Sequence, residues 1–408
     1  MKKILFTLFP IFAFSQQTPI NIDNLRKHVT FLASDDLRGR GTGTEDERRA
    51  AIYIATEFQK AGLTPKGDNG TYYQTFLTKT TELGSMTPPA GANNVVGFLD
   101  NGASRTLIIG AHYDHLGMGL QAGSLEPNPQ GKLHNGADDN ASGVAGVLEL
   151  ARVFAGNEVK EKQNLLFICF SGEELGLNGS RFYANNPTVS LENTDAMINM
   201  DMIGRFEPTK GLTIGGLATS PVWNGIVNAA TQSLGVKFRA DSAGTGGSDH
   251  TSFYVKNLPV LFFFTGVHTD YHKTSDDIEK INFEGEALIL NLVADIVKRT
   301  NETTEKIQFR QYTDPHAANN ARMSFKVTMG LLLDYSFDGP GIKVDGVVAN
   351  RPAEKSGIKA GDTILTLGEY KIGNVQEYME ALGKFEKGQT VDAQLIRDQK
   401  LTKTKVTF

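Results

Sequence analysis

The chain has one cysteine and one tryptophan among its 408 residues. A lone thiol forms no internal disulfide, so stability has to come from a packed core or from bound metal. Cys169 lies in the apolar run Leu165 to Phe170, which makes it an inert core thiol rather than a nucleophile. No apolar run reaches the length of a bilayer span. Neither sign of charge dominates, since 41 Lys and Arg against 46 Asp and Glu leave a net charge of −5. That balance offers no electrostatic reason to expect nucleic acid or an anionic membrane as a partner. Repeats and low-complexity tracts are missing too.

What is present fits a folded chain. Hydrophobic residues at 40% and charged residues at 21% are ordinary for globular protein and argue against wholesale disorder. The length exceeds what one compact core usually holds, so two domains are expected. At the start, Lys2 and Lys3 precede the apolar run Ile4 to Phe14, and Ala13-Phe14-Ser15 has the small-x-small form of a cleavage site. Residues 1–15 therefore read as a secretory signal peptide, and the mature chain is expected to be exported, periplasmic or extracellular.

Residues 22–62 read as helical, with the polar stretch SDDLRGRGTG between two amphipathic segments. From about 94 the rhythm changes to short apolar runs: NVVGFLD, TLIIGAHYD, LLFICFSG, AMINMDMIG and VLFFFTG. Helical stretches such as Ala141–Phe154, Val222–Leu234 and Glu284–Arg299 lie between them. Near-continuous apolar strands alternating with amphipathic helices predict an α/β fold, a mostly parallel central sheet sandwiched by helices. This unit spans 22–303. Residues 304–321 are polar, weakly periodic and read as a linker. From 322 to 408 short β-like runs surround one helical stretch, Val375–Phe385, enough for a small second domain.

Polar and titratable residues stand at the ends of the predicted strands, against propensity. TLIIGA runs into His112-Tyr113-Asp114-His115, LLFICF into Ser171-Gly172-Glu173-Glu174, AMINM into Asp201, and VLFFFTG leads to His268, Tyr271 and His272. Ligands bind at the carboxyl ends of parallel strands, so these segments are expected to share one crevice. GADDNASG (136–143) adds carboxylates at a helix start, where Asp138 or Asn140 also suits a cap. Two histidines with several carboxylates suit a divalent metal, and imidazole favours zinc. Asp114, two residues past His112, is placed to accept the free ring N–H and fix the tautomer. Glu173 and Glu174 are adjacent, so one can ligate while the other faces the bound water as a base.

The ordered set AHYDHLG, GADDNASG, FSGEELGL, NMDMIG and YHKTSDD resembles the co-catalytic two-zinc aminopeptidase family, bacterial leucyl aminopeptidases among them. That family also contains glutamate carboxypeptidase, glutaminyl cyclase and a non-catalytic receptor ectodomain. The upstream VTFLASDDLRGRGTGTEDERRAAIYIATEF and the later GGSDHTSF resemble its bacterial members, and the likeness spans roughly 25–300. It implies two zinc ions per chain. Asp139 would bridge them, His112 and Asp201 would complete one site, and Glu174 and His272 the other. Glu173 would be the general base and Tyr271 the donor to the developing oxyanion. The implied substrates are peptides with a free N-terminus. Asp249 and His250 suit a helix start or a substrate contact equally, and no role is expected for His115, His134 or His268.

Other readings stay open within the fold. Asp201 and His272 are 71 positions apart, which leaves no room for the dimerisation domain that a related exopeptidase family inserts there. A carboxypeptidase or dipeptidase needs a basic group for the substrate carboxylate, and Arg205 is the candidate. A peptide-binding protein without catalysis is the remaining class, opposed by the complete ligand set and Glu173. The C-terminal stretch around ANRPAEKSGIKAGDTILTLG resembles a bacterial PDZ domain. That likeness implies a groove for a peptide C-terminus, with Met329, Gly330, Leu331 and Leu332 as the carboxylate loop and Val375–Phe385 as the other wall.

Overall fold

The computed structural model describes residues 19–78, 81, 82, 85, 86, 90–121, 123–157, 159–303, 305–312, 327–333, 339–347, 351–373 and 375–408. The expected signal peptide, 1–15, lies outside the described residues, as do 313–321 of the expected linker.

The first unit is built on a nine-stranded sheet. Its strands are β1 (Thr64–Pro65), β2 (Tyr73–Thr78), β3 (Ala90–Leu99), β4 (Thr106–His112), β5 (Asn164–Phe170), β6 (Thr194–Met200), β7 (Leu212–Gly215), β8 (Phe238–Ala240) and β9 (Val260–Phe264). The order is β1-β3-β5-β4-β6-β9-β7-β8, with β2 paired to β3. The central four, β5-β4-β6-β9, run parallel. β3 is antiparallel to β5, and β7 to β9.

Every residue of β4, β5 and β6 is buried, the signature of strands covered on both faces. Alternate side chains divide between two cores. Leu107, Ile109, Leu165, Phe167 and Ile198 pack with helices α1 (Ile22–Leu32), α2 (Glu45–Lys60), α3 (Gly143–Ala155), α5 (Trp223–Leu234) and α7 (Phe283–Asn301). Ile108, Leu166, Ile168 and Met197 pack on the other face with Tyr183 of α4 (Asn178–Asn185) and Phe253 of α6 (His250–Tyr254). The period of two in a strand forces this division. Cys169 is wholly buried in the first core, and burial pushes its thiol far above the usual range.

Residues 305–312 differ from the expected linker. Ile307 is buried in the first core, its N–H donates to Asp195 Oδ1 at 3.3 Å, and Arg310 N–H donates to Thr219 O at 2.7 Å. An apolar residue with a core to enter overrides a polar neighbourhood. Among the described residues no helix is long and apolar enough to cross a membrane.

The C-terminal unit has its own core, including Met329, Val344, Ile364, Leu367, Tyr378, Phe385 and Leu395. Strands β10 (Leu331–Leu333), β11 (Ile342–Val347), β12 (Thr363–Leu367), β13 (Tyr370–Lys371), β14 (Thr390–Arg397) and β15 (Lys400–Thr407) form an antiparallel sheet. Its order is β10-β11-β12-β14-β15, with β13 on β12. Helix α8 spans Pro352–Lys355, and α9 spans Val375–Leu382.

Candidate metal centre

The parallel strands end on one side of the sheet, and the chemistry-bearing residues follow their last residues. β4 ends in His112, β5 is followed by Glu173 and Glu174, and β6 is followed by Asp201. Asp139 comes from the irregular turn 137–142 before α3, and His272 from the loop after β9. The peptide between Asp139 and Asn140 is cis.

Asp139 stands between two His–carboxylate pairs. His112 Nε2 is 3.3 Å from Asp139 Oδ1 and 3.3 Å from Asp201 Oδ1. His272 Nε2 is 3.2 Å from Asp139 Oδ2 and 3.2 Å from Glu174 Oε2. Neighbouring ligands of a tetrahedral zinc, each at about 2.0–2.1 Å from it, lie roughly 3.3 Å apart. The donor set and its spacing thus fit zinc on both sides of Asp139. Among the described residues, the donor atoms of His112, Asp139 and Asp201 all lie within 4.8 Å of one another, as do those of His115, Asp139 and Glu174.

The electrostatics point the same way. Side chains of Asp139 and Glu174 are each 4% exposed and Asp201 is 12% exposed, so three carboxylates sit with little water and require cationic partners. Burial works against the charged form of His112 and His272, but Asp201 and Glu173 around the first ring and Glu174 and Asp139 around the second raise both well above the ordinary histidine value. Glu173 is raised well above the carboxylate range, first by burial and then by Glu174, Asp249 and Asp201, against the lowering effect of His112.

The surrounding bonds explain the placement. Asp114 Oδ1 accepts Glu173 N–H at 3.0 Å, and its Oδ2 accepts the Thr42 hydroxyl at 2.7 Å and Glu174 N–H at 3.4 Å. Its carboxylate is 3.7 Å from His112 Nδ1, while its backbone carbonyl is at 3.2 Å. The Asp114 carbonyl and carboxylate thus both face His112 Nδ1, and the carboxylate also orders the Glu173–Glu174 turn. Asn140 takes the capping role at α3, with Oδ1 accepting Gly143 N–H at 2.9 Å. Asp138 accepts Gly204 N–H at 2.7 Å and pairs with His268 Nε2 at 3.0 Å. Tyr271 stacks on His272 with ring centroids 3.8 Å apart. Asp249 and His250 are buried at the start of α6, which matches the helix-start reading.

Three contributors carried no role in the sequence reading. Arg40 is wholly buried and donates to the carbonyls of Leu32, Tyr113 (2.8 Å), Asn135 (2.7 Å) and Gly136 (3.0 Å). Burial lowers its guanidinium to about 10 despite the nearby Asp139 and Asp114. Asp276 Oδ2 accepts the N–H groups of both Asp138 and Asp139 at 3.0 Å. His115 Nδ1 lies 2.8 Å from Glu174 Oε1. The only sequence signal for these was their position inside the quoted motifs.

The sequence model of peptidase family M28 matches residues 94–297, half of the chain. The chain belongs to peptidase family M28. Residues 307–408 match the PDZ domain model, so the second unit is a PDZ domain. The M28 chain is 28% identical over 262 residues to leupeptin-inactivating enzyme 1 of Streptomyces exfoliatus, covering 64% of this chain and 52% of that protein. It is 33% identical over 160 residues to aminopeptidase YwaD of Bacillus subtilis, covering 36% and 34%. It thus spans about half, or less, of the length of these relatives. Among solved structures, the zinc aminopeptidase BSAP from Bacillus subtilis superposes with a TM-score of 0.56 at 18% identity, covering 72% of this chain and 100% of that one. The likeness is one of fold.

In the PDZ domain Met329 is buried in the core and its carbonyl accepts Ala353 N–H at 2.9 Å. Gly330 adopts φ +71, and its N–H donates to Thr328 Oγ1 at 3.2 Å. Leu331 and Leu332 lie on β10, the end strand in the sheet order, paired to Val347 and Gly346 of β11. The Leu332 side chain lies outside the described residues.

Proposed function

We propose that this protein is an exported aminopeptidase that holds two zinc ions per chain and removes N-terminal residues from peptides. The observation that carries the reading is the Asp139 carboxylate, one oxygen toward His112 and Asp201 and the other toward His272 and Glu174. The names of the relatives, an aminopeptidase and an enzyme that inactivates leupeptin, support it.

When bound, the two metals would supply Lewis acidity, polarising the scissile carbonyl and making a water at the site more acidic. His112, Asp139 and Asp201 would hold one, and Glu174, Asp139 and His272 the other. Glu173 takes the proton of the attacking water and returns it to the leaving amine. Tyr271 donates to the developing oxyanion. The acidic cluster favours a substrate whose α-amine is free.

The carboxypeptidase reading weakens at Arg205. Its Nη2 is 3.0 Å from Asp270 Oδ2 and its Nη1 is 4.0 Å from Asp276 Oδ1. A guanidinium facing two carboxylates is poorly placed to receive a third. On the PDZ domain, the end strand β10 suits addition of a peptide C-terminus as a further strand.

The test combines zinc analysis with an aminoacyl p-nitroanilide assay. The wild type is expected to carry two zincs and to hydrolyse the substrate. Glu173→Gln is expected to keep both metals and lose about 100-fold or more in turnover. Near-normal turnover in that variant removes Glu173 as the base, and hydrolysis only of N-blocked substrates removes the aminopeptidase reading. A peptide ending in a free carboxylate binding the protein no better than its amide removes the PDZ groove. N-terminal sequencing of the secreted protein checks cleavage after residue 15.

A further inference from the structure

Two imidazoles approach Glu174, and they approach different oxygens. His272 Nε2 is 3.2 Å from Oε2, the spacing of two ligands around one zinc, and His115 Nδ1 is 2.8 Å from Oε1, the length of a hydrogen bond. His115 Nδ1 is also 3.9 Å from Asp139 Oδ2, longer than the roughly 3.3 Å expected between tetrahedral zinc ligands.

We propose that His115 is a positioning residue for the metal ligand Glu174: its Nδ1–H holds Oε1, leaving Oε2 as the single oxygen presented to the metal shared with Asp139 and His272. The proposal rests on the two-metal reading above. It gives a role to a histidine that the proposed ligand set and base do not use.

The ring is fixed in place. His115 N–H donates to Arg40 O at 3.1 Å, and the side chain is fully buried. Gly136 permits the close approach, since a Cβ there would stand 2.5 Å from His115 Cδ2, and its φ of +58 already favours glycine. His272 meets the ring edge-on, with centroids 5.9 Å apart. The remaining nitrogen decides the tautomer. Nε2 is buried with no hydrogen-bond partner among the described residues. A hydrogen on Nε2 would be an orphaned buried donor, and it would leave a bare Nδ1 lone pair facing a carboxylate oxygen. With the hydrogen on Nδ1, the bond to Glu174 forms and Nε2 is only an unused acceptor, the less costly state. Such outer bonds orient a ligating carboxylate and strengthen its hold on the metal.

The experiment measures zinc affinity by competition with a fluorescent chelator and records the visible spectrum of the cobalt-substituted full-length protein. The wild type is expected to bind two zincs. His115→Ala is expected to weaken one of them about 10–100-fold and leave the other unchanged. His115→Asn places an amide N–H where Nδ1–H stood, and is expected to recover the affinity to within a few-fold with the wild-type cobalt spectrum. Wild-type affinity for both zincs in His115→Ala overturns the proposal. So does His115→Asn with a weakened zinc and an altered cobalt spectrum, which would make His115 a direct ligand. If His115→Ala fails to fold, the asparagine variant decides alone. Fewer than two zincs in the wild type is a separate result that sinks the two-metal reading itself.

Discussion

His272 Nδ1 lies 2.8 Å from the carbonyl oxygen of Gly123, a residue 149 positions earlier in the chain. The bond sets the tautomer, so that Nε2 faces Asp139 and Glu174. Further bonds tie the same two segments: Leu125 N–H donates to His272 O at 2.9 Å, and Glu126 Oε1 accepts the Thr274 hydroxyl at 2.9 Å. His272 itself has φ +54, a conformation costly for a non-glycine residue that the surrounding bonds have to hold.

Gly123→Ala tests this latch. Gly123 has φ +116, and an added Cβ would meet Leu116 Cδ2 at 3.0 Å. On the proposed two-zinc reading, the segment is expected to shift and free His272, lowering affinity for one zinc about tenfold while the other stays. Zinc titration of the variant reads this directly, and two unchanged affinities would show that the latch is dispensable.

Arg40→Lys is expected to destabilise the M28 domain by about 3–5 kcal/mol, because an ammonium cannot reach four carbonyls spread over three segments and leaves buried acceptors unpaired. Urea unfolding followed by tryptophan fluorescence at Trp223 measures it. A loss below about 1 kcal/mol would mean that the guanidinium bonds are replaceable.

Asp276→Ala removes the acceptor of two buried backbone N–H groups. At about 1–3 kcal/mol for each unsatisfied group, a loss of roughly 3 kcal/mol is expected. Asp276→Asn keeps a carbonyl oxygen for both and is expected to lose less. Thermal unfolding of the pair gives the comparison, and equal losses would point to the charge rather than the two bonds.

His28 gives a pH dependence away from the metal centre. Burial lowers it from the ordinary 6.5 to about 4, with Glu57 opposing, and its Nδ1 lies 2.8 Å from the Tyr53 hydroxyl oxygen. As the pH falls, the unfolded chain takes up this proton first. The stabilisation is complete above pH 6.5 and is lost between 6.5 and about 4, to a total of about 3 kcal/mol. Stability followed from pH 7.5 to 4 should fall less steeply in His28→Leu than in the wild type. Parallel curves would assign the acid sensitivity elsewhere.

Much of the fold was legible because it is local. Strands such as Leu165–Phe170 and helices such as Glu284–Arg299 announce themselves by period and length, and the observed α7, Phe283–Asn301, departs by only one or two residues at its ends. Ile307 was less legible for the opposite reason: its polar neighbours hid the fact that a core was within reach. At the site, residue types and strand ends marked the segments, and likeness to a family distributed the roles. The sequence could not show how the Asp114 groups divide, because carbonyl and carboxylate of one residue both face the same imidazole.

The sequence by itself determined the elements and marked strand-end residues able to hold metal, since these follow from side-chain chemistry at short period. Only the tertiary structure decided that Asp139 faces two ways, that His115 and His272 divide the oxygens of Glu174, and that Arg40, Gly123 and Asp276 brace them. Each of those relations joins residues far apart in the chain. Their distances are set by how the sheet, its helices and its loops pack, and no local pattern of residues encodes that.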